Sequence, residues 1–216
     1  MSRIRAIVFI DGNNLYHNLR ALGVKPGSID FYKLSELVCE HFECEFKGSR
    51  YYNSVPNIKD DSENYHKHML FLDEVMALPK FEVLTRKLQS YTTKSLQREK
   101  RNIIDGLDLC PVCKPIVEGN CLDCIGRFRK KEKGIDVMIA VDMLNLSVVE
   151  EACDCCILVS GDADFVPASQ IVNKHGKAVY SAFIPRGYSW ELRENLKFWT
   201  LSKDFLLENC IKDPYS

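Results

Sequence analysis

Four aspartates stand at three separated places in this chain, each with the local sequence of a site edge. The segments are Ala6-Ile7-Val8-Phe9-Ile10-Asp11-Gly12-Asn13-Asn14, Lys133-Gly134-Ile135-Asp136-Val137 and Ile157-Leu158-Val159-Ser160-Gly161-Asp162-Ala163-Asp164-Phe165. In the first and third, a short run rich in Val and Ile stops at Asp and Gly, which is the pattern of a buried parallel strand. The carboxylate then falls just past the strand's C-terminal end, the edge where open α/β sheets bind ligands. Carboxylates gathered there repel one another unless a cation joins them. Hard oxygen donors select magnesium or manganese. The expected chemistry is metal-assisted attack on something anionic.

The elements that must position these groups alternate along the chain. Strands are expected at 4–10, 50–55, 81–84, 156–159 and 178–184. Helices are expected at 13–22, 31–42, 62–78, 135–146, 167–174 and 189–199. The 135–146 segment is apolar nearly all round and reads as a buried helix. Such alternation builds a parallel sheet with helices on both faces. In that topology Asp11, Asp162 and Asp164 leave strands at one edge, and Asp136 opens a helix at the same edge. Asp142, six residues on, points about 240° away from Asp136 on a helix and should not join them. Each residue also has a plainer role. Asp11 and Asp136 suit helix N-caps, and Asp162 with Asp164 suits an Asx turn. Asn13 and Asn14 serve equally as caps or as donors to a phosphate, and Ser160 as a turn residue or a phosphate donor.

Composition narrows the setting. The chain has 216 residues, 46% hydrophobic, with no apolar run long enough to cross a membrane. The start, Met1-Ser2-Arg3-Ile4-Arg5, has no signal-peptide pattern, so a cytoplasmic location is expected. Residues 86–133 carry twelve Lys or Arg against six Asp or Glu, a local charge of +6; with −1 overall, the remainder carries −7. An acidic site beside a basic segment suits a polyanion, although a solvated loop surface gives the same charge.

The three aspartate segments, with Asp142-Met143-Leu144 following the second, resemble the NYN domain, the LabA-like branch of the PIN-like nuclease superfamily. The resemblance spans about 1–85 and 134–205. It implies a five-stranded parallel sheet in the order 3-2-1-4-5. It also implies magnesium- or manganese-dependent cleavage of RNA, with Asp11, Asp136, Asp162 and Asp164 as the acidic cluster and Asn14 as the polar residue after the first aspartate. The domains expected are a catalytic one over 1–85 and 134–207, an insertion over 86–133 and a tail over 208–216.

The insertion has its own chemistry. Among ten cysteines, Cys110-Pro111-Val112-Cys113 precedes Cys121-Leu122-Asp123-Cys124 by seven residues. Two CxxC knuckles this close can supply the four thiolates of a structural zinc site; the alternative is four reduced thiols on a loop. Lys94, Arg98, Lys100 and Arg101 lie before the knuckles, and Arg127, Arg129, Lys130, Lys131 and Lys133 after them. A zinc-fixed insert of this kind would clamp a nucleic-acid backbone, with Tyr91 and Phe128 available to stack on bases.

The function expected is therefore a metal-dependent ribonuclease with a zinc-stabilised basic insert, acting on RNA, with DNA left open. Two rivals stand beside it: an RNA-binding regulatory module that does not cut, and a phosphohydrolase for a small ester. A homodimer is left open.

Overall fold

The computed structural model describes residues 3–56, 58, 62–88, 93–122 and 134–213. The chain divides into two units, Met1–Lys87 with Gly134–Ser216, and Leu88–Lys133. In the first unit the elements run β1 (Ile4–Asp11), α1 (Gly12–Ala21), α2 (Phe31–His41), β2 (Cys44–Val55), α3 (Ser62–Met76) and β3 (Phe81–Lys87). After the second unit come α6 (Ile135–Leu144), β4 (Cys155–Val159), α7 (Val166–Lys174), β5 (Ala178–Phe183), α8 (Trp190–Asn195), β6 (Lys197–Thr200) and α9 (Lys203–Asn209). The second unit contributes α4 (Thr93–Gly106) and α5 (Cys113–Cys121).

All sheet pairings are parallel, in the order β3-β2-β1-β4-β5-β6. The expected order holds through β5, but the sheet has six strands rather than five. The extra strand replaces the end of the helix expected over 189–199. Ser189 caps α8 through Leu192 N–H (3.2 Å), and the helix ends at Asn195. Leu196 turns extended, and Lys197-Phe198-Trp199-Thr200, with aromatic and β-branched residues, pairs with Tyr180–Phe183. The residues expected as a tail also continue in structure. Cys210 is buried, and Asp30 N–H donates to its carbonyl oxygen at 2.8 Å.

Alternation along β1 sends its side chains to two cores. Ala6, Val8 and Ile10 pack with Leu19, Leu34, Val38, Leu72 and Leu206, so α1, α2, α3 and α9 cover one face. Phe9 packs with Ile135, Ile139, Met143, Val172 and Leu192, so α6, α7 and α8 cover the other. In α6 only the stripe Ile135, Ile139 and Met143 is buried, while Val137 and Val141 are exposed. This departs from the expectation of a helix buried all round. The helix lies on the surface of the sheet, and a surface helix needs only one apolar stripe. It runs on into a π-helical turn at Asn145–Val149.

Candidate metal edge

The register of the two central strands makes the site. Ile10 pairs with Val159, so the next residues on each strand, Asp11 and Ser160, emerge side by side. Ser160 Oγ donates to Asp11 Oδ2 at 3.2 Å and accepts from Asp162 N–H at 3.3 Å. One hydroxyl thus joins two motifs that are 149 residues apart. Asp11 Oδ1 also accepts from Asn14 N–H at 3.0 Å, as the N-cap of α1. Asn14 Oδ1 in turn accepts from Gly161 N–H (3.4 Å) and from Asn18 Nδ2 (2.8 Å). Asp11 is 4% exposed and Ser160 2%.

Asp162 caps a short 3-10 turn, Ala163–Phe165, by accepting from Asp164 N–H at 3.0 Å. Asp164 is exposed, and Phe165 beside it is core. Asp136 is half-buried in the first turn of α6, which packs on β1, β2 and the Ala163–Phe165 turn. The structure therefore brings Asp11, Ser160, Asp162 and Asn14 into one bonded network and puts Asp136 and Asp164 at the same edge. Among the described residues, no three His, Cys, Asp or Glu side chains already converge as ligands on one ion. The expected cluster is thus shared as an edge, with Asp11 and Asp162 turned into caps.

Asp142 lies elsewhere, as its helical phase implies. It accepts from Arg50 Nη1 (2.9 Å) and Tyr52 hydroxyl (2.8 Å), and Arg50 also reaches Glu82 (2.8 Å). Burial and the bond to Asp142 push the Tyr52 phenol far up, which keeps it a donor.

Several groups at this edge have no local sequence signal. Asn53 at the end of β2 is 3% exposed; its amide reaches Tyr51 hydroxyl at 3.5 Å, while its Oδ1 is buried with no hydrogen-bond partner among the described residues. Burial pushes the Tyr51 phenol up, and the charge of Asp11 adds to that. Ser181 Oγ donates to Ser160 O at 3.0 Å, and Ser189 N–H to Gly161 O at 2.7 Å. These depend on strands and loops remote in sequence. Only the polar residues near strand ends could have hinted at them.

The fit to a hard cation can be judged from the donors present. They are oxygens: the carboxylates of Asp11, Asp136, Asp162 and Asp164, and the buried Asn53 Oδ1 at the end of β2. An oxygen set of this kind suits magnesium or manganese.

In the second unit, Lys114 pairs with Asp105 (2.8 Å), and Lys100 Nζ caps Cys121 O at 2.9 Å, tying α4 to α5. Arg98 and Arg101 are exposed on α4. Cys110 and Cys113 form a tight turn, with Cys113 N–H on Cys110 O at 3.0 Å. Hydrogen bonds from Cys113 lower the Cys110 thiol. Cys113 and Cys121, however, occupy opposite ends of the nine-residue α5, about 12 Å apart along its axis. Two sulfurs on one zinc, each about 2.3 Å from the metal, need to be far closer. The described residues hence do not assemble the four-thiolate set. Cys124, Arg127, Phe128, Arg129, Lys130, Lys131 and Lys133, like Tyr91, lie outside the described residues. Among the described residues no helix is long and apolar enough to cross a membrane.

Comparison with known proteins bears on the fold and the family. The family profile described as NYN domain matches residues 5–201. A crystal structure of a Vibrio parahaemolyticus protein of unknown function is similar with a TM-score of 0.57 at 19% identity, covering 94% of this chain and 96% of that one. That likeness concerns the fold alone. A D-isomer specific 2-hydroxyacid dehydrogenase from Lactobacillus delbrueckii ssp. bulgaricus aligns with a TM-score of only 0.18 at 11% identity, over 95% of this chain and 60% of that one, too slight to indicate a shared fold. No curated protein shows a significant match.

Proposed function

The chain belongs to the NYN domain family, a nuclease-like family, and from that premise we propose that it is a magnesium- or manganese-dependent ribonuclease that hydrolyses RNA phosphodiester bonds. One observation carries the reading: Ser160 bonds both Asp11 Oδ2 (3.2 Å) and Asp162 N–H (3.3 Å), joining the ends of the two central strands into one acidic edge.

Asp11, Asp136, Asp162 and Asp164 would hold the cation. When bound, it supplies a water of lowered pKa and neutralises charge on the phosphate. The chain's own residues do the positioning. Asn14 N–H and Ser160 hydroxyl fix the two oxygens of Asp11. Asn14 in turn holds Gly161 N–H, which sets the turn that carries Asp162. Asp11 is 4% exposed and Asp164 is exposed, so a polymer strand would meet this edge at Asp164 first.

A second reading, RNA binding without cleavage, draws on one observation: Asp11 and Asp162 both serve as caps. Incubating end-labelled RNA and DNA with the protein in magnesium, manganese or chelator separates the two. Metal-dependent, chelator-sensitive cutting of RNA is expected. Protein that binds RNA but never cuts it in either metal, over varied single- and double-stranded substrates, would select the second reading.

The insertion is assigned a supporting role: a zinc-held basic element that grips RNA through Arg98, Arg101, Arg127, Arg129, Lys130 and Lys131. Zinc at Cys110, Cys113, Cys121 and Cys124 requires α5 to open at one end, so metal binding should change the helix content measured by circular dichroism. Elemental analysis should find about one zinc per chain, and none in freshly purified reduced protein would remove this element. Reversing Arg129, Lys130 and Lys131 together should weaken RNA binding and flatten its salt dependence.

A further inference from the structure

We infer that Trp190, backed by Arg193, is a stacking platform for an unpaired base beside the aspartate edge, which makes single-stranded RNA the preferred substrate. This rests on the ribonuclease reading above and narrows it.

Trp190 is 66% exposed at the start of α8, two residues from fully buried Leu192. A lone exposed apolar residue is ordinary; three further observations single this one out. The first is its support. The Arg193 guanidinium lies 5.8 Å from the Trp190 ring centre, 5.9 Å from that of Tyr188 and 5.2 Å from that of Phe198, and donates to Tyr188 hydroxyl at 3.2 Å. Tyr188 itself stacks on buried Phe183, with ring centres 4.5 Å apart. A cation held against two other rings keeps the indole's neighbour in place, so little ordering remains when a base arrives.

The second is position. Ser189 N–H donates to Gly161 O (2.7 Å), and Asn18, which holds Asn14, also reaches Gly187 O (3.4 Å). A Cβ at Gly161 would overlap Gly187 O and Tyr188 Cα, and a Cβ at Gly187 would overlap the Asn18 side chain. Residues 187–189 therefore lie directly on the turn between Ser160 and Asp162, and Trp190 is the next residue.

The third is the residue that begins this segment. Arg186 has φ +65° and is exposed, in a turn closed by Gly187 N–H on Ile184 O (3.0 Å). Glycine or asparagine would occupy that conformation at lower cost; an arginine there puts a cation beside the edge that could meet a phosphate. Glu191 and Glu194 are exposed on the same short helix, and they offset Arg186 and Arg193. The attraction at this place is consequently stacking rather than net charge. A stacked base must offer a free face, which a paired base in a duplex does not.

The test measures binding, so that it stands apart from catalysis. Wild type, Trp190→Ala, Trp190→Leu and Trp190→Phe are titrated with labelled single-stranded RNA and with the matching duplex, without added divalent metal, at two salt concentrations. Thermal melting confirms that each variant is folded. Trp190→Ala and Trp190→Leu should bind the single strand about tenfold more weakly, by the same factor at both salts, with duplex affinity unchanged. Trp190→Phe, which keeps a ring, should retain most of the affinity. In a Trp199→Phe background, where Trp190 is the one remaining tryptophan, single-stranded RNA should quench the intrinsic fluorescence. Unchanged single-strand affinity in the alanine and leucine variants, or equal losses for single strand and duplex, overturns the platform while leaving the ribonuclease reading in place. Wild-type protein that binds neither nucleic acid overturns both.

Discussion

The two ends of the sheet use carboxylates in opposite ways. At the N-terminal end, Asp154 takes Arg5 Nε (2.8 Å) and Nη2 (3.0 Å) and Lys177 Nζ (3.2 Å), while Asp154 N–H donates to Arg5 O at 2.8 Å. The Arg5 guanidinium and then Lys177 hold that carboxyl far below the usual range. At the C-terminal end, Asn14 N–H and the Ser160 hydroxyl orient Asp11, and Asp164 N–H orients Asp162. A cationic partner cancels a carboxylate's charge and clips strands together. A neutral donor orients the carboxylate and leaves the charge to act on a ligand. The residue type is the same at both ends, and the described partners differ.

The largest expected effect tests that contrast directly. Asp11→Asn and Asp162→Asn should each lower RNA cleavage by on the order of 10²-fold or more. Asparagine caps a helix about as well as aspartate, so melting temperatures should stay near wild type. Asp154→Asn should do the reverse, with cleavage retained and stability reduced. Equal melting losses at both ends would erase the distinction.

Next in size is Gly161→Ala. The added Cβ would overlap Gly187 O and Tyr188 Cα, both backbone, so the segment must move. A loss of about 1–3 kcal/mol in denaturant unfolding is expected, together with reduced cleavage. Wild-type stability and activity in this variant would show that the loop need not rest on the site.

A smaller effect sharpens the comparison within one helix. Asp142→Asn removes a charged acceptor from Arg50 and Tyr52, whereas Arg50 keeps Glu82. Stability should fall by about 1–2 kcal/mol and cleavage should change little, in contrast to Asp136→Asn on the same helix. Loss of cleavage in Asp142→Asn without loss of stability would place it in the reacting site.

The smallest is a pH effect. The folded-state pKa of Asp154 is depressed, so its contribution is present above the ordinary aspartate value of about 3.9. It is lost as pH falls from there through the lower folded value. The pair is more than a third exposed, with side chains 41% and 38% accessible, so solvent screens most of it. Arg5→Gln should slightly flatten the acid side of the stability–pH curve and leave the neutral side of cleavage unchanged.

Much of the site was legible because its signals are local. An apolar run followed by Asp-Gly marks a strand end whatever lies elsewhere, so β1, β4 and the residues leaving them could be read directly. Where the local signal was shared between two structures, the reading went wrong. Lys197 to Trp199 falls within the helix expected over 189–199 but suits a strand by residue type, and there it pairs with β5. The CxxC pairs are a different case: Cys113–Cys121 forms a helix, Cys124 lies outside the described residues, and zinc binding there belongs to the proposed function.

The sequence by itself determined which residues can bear charge at the sheet's C-terminal edge, because strand polarity follows from chain direction and parallel pairing sends every strand end to the same side. Only the tertiary structure decided what each carboxylate does there. Ser160 meets Asp11 through the register of β1 on β4, Asn53 lies buried through the pairing of β2, and the Gly187–Ser189 segment reaches Gly161 through a close backbone approach. Those contacts join positions up to 149 residues apart. They are set by which strands become neighbours, and no local stretch of sequence carries that information.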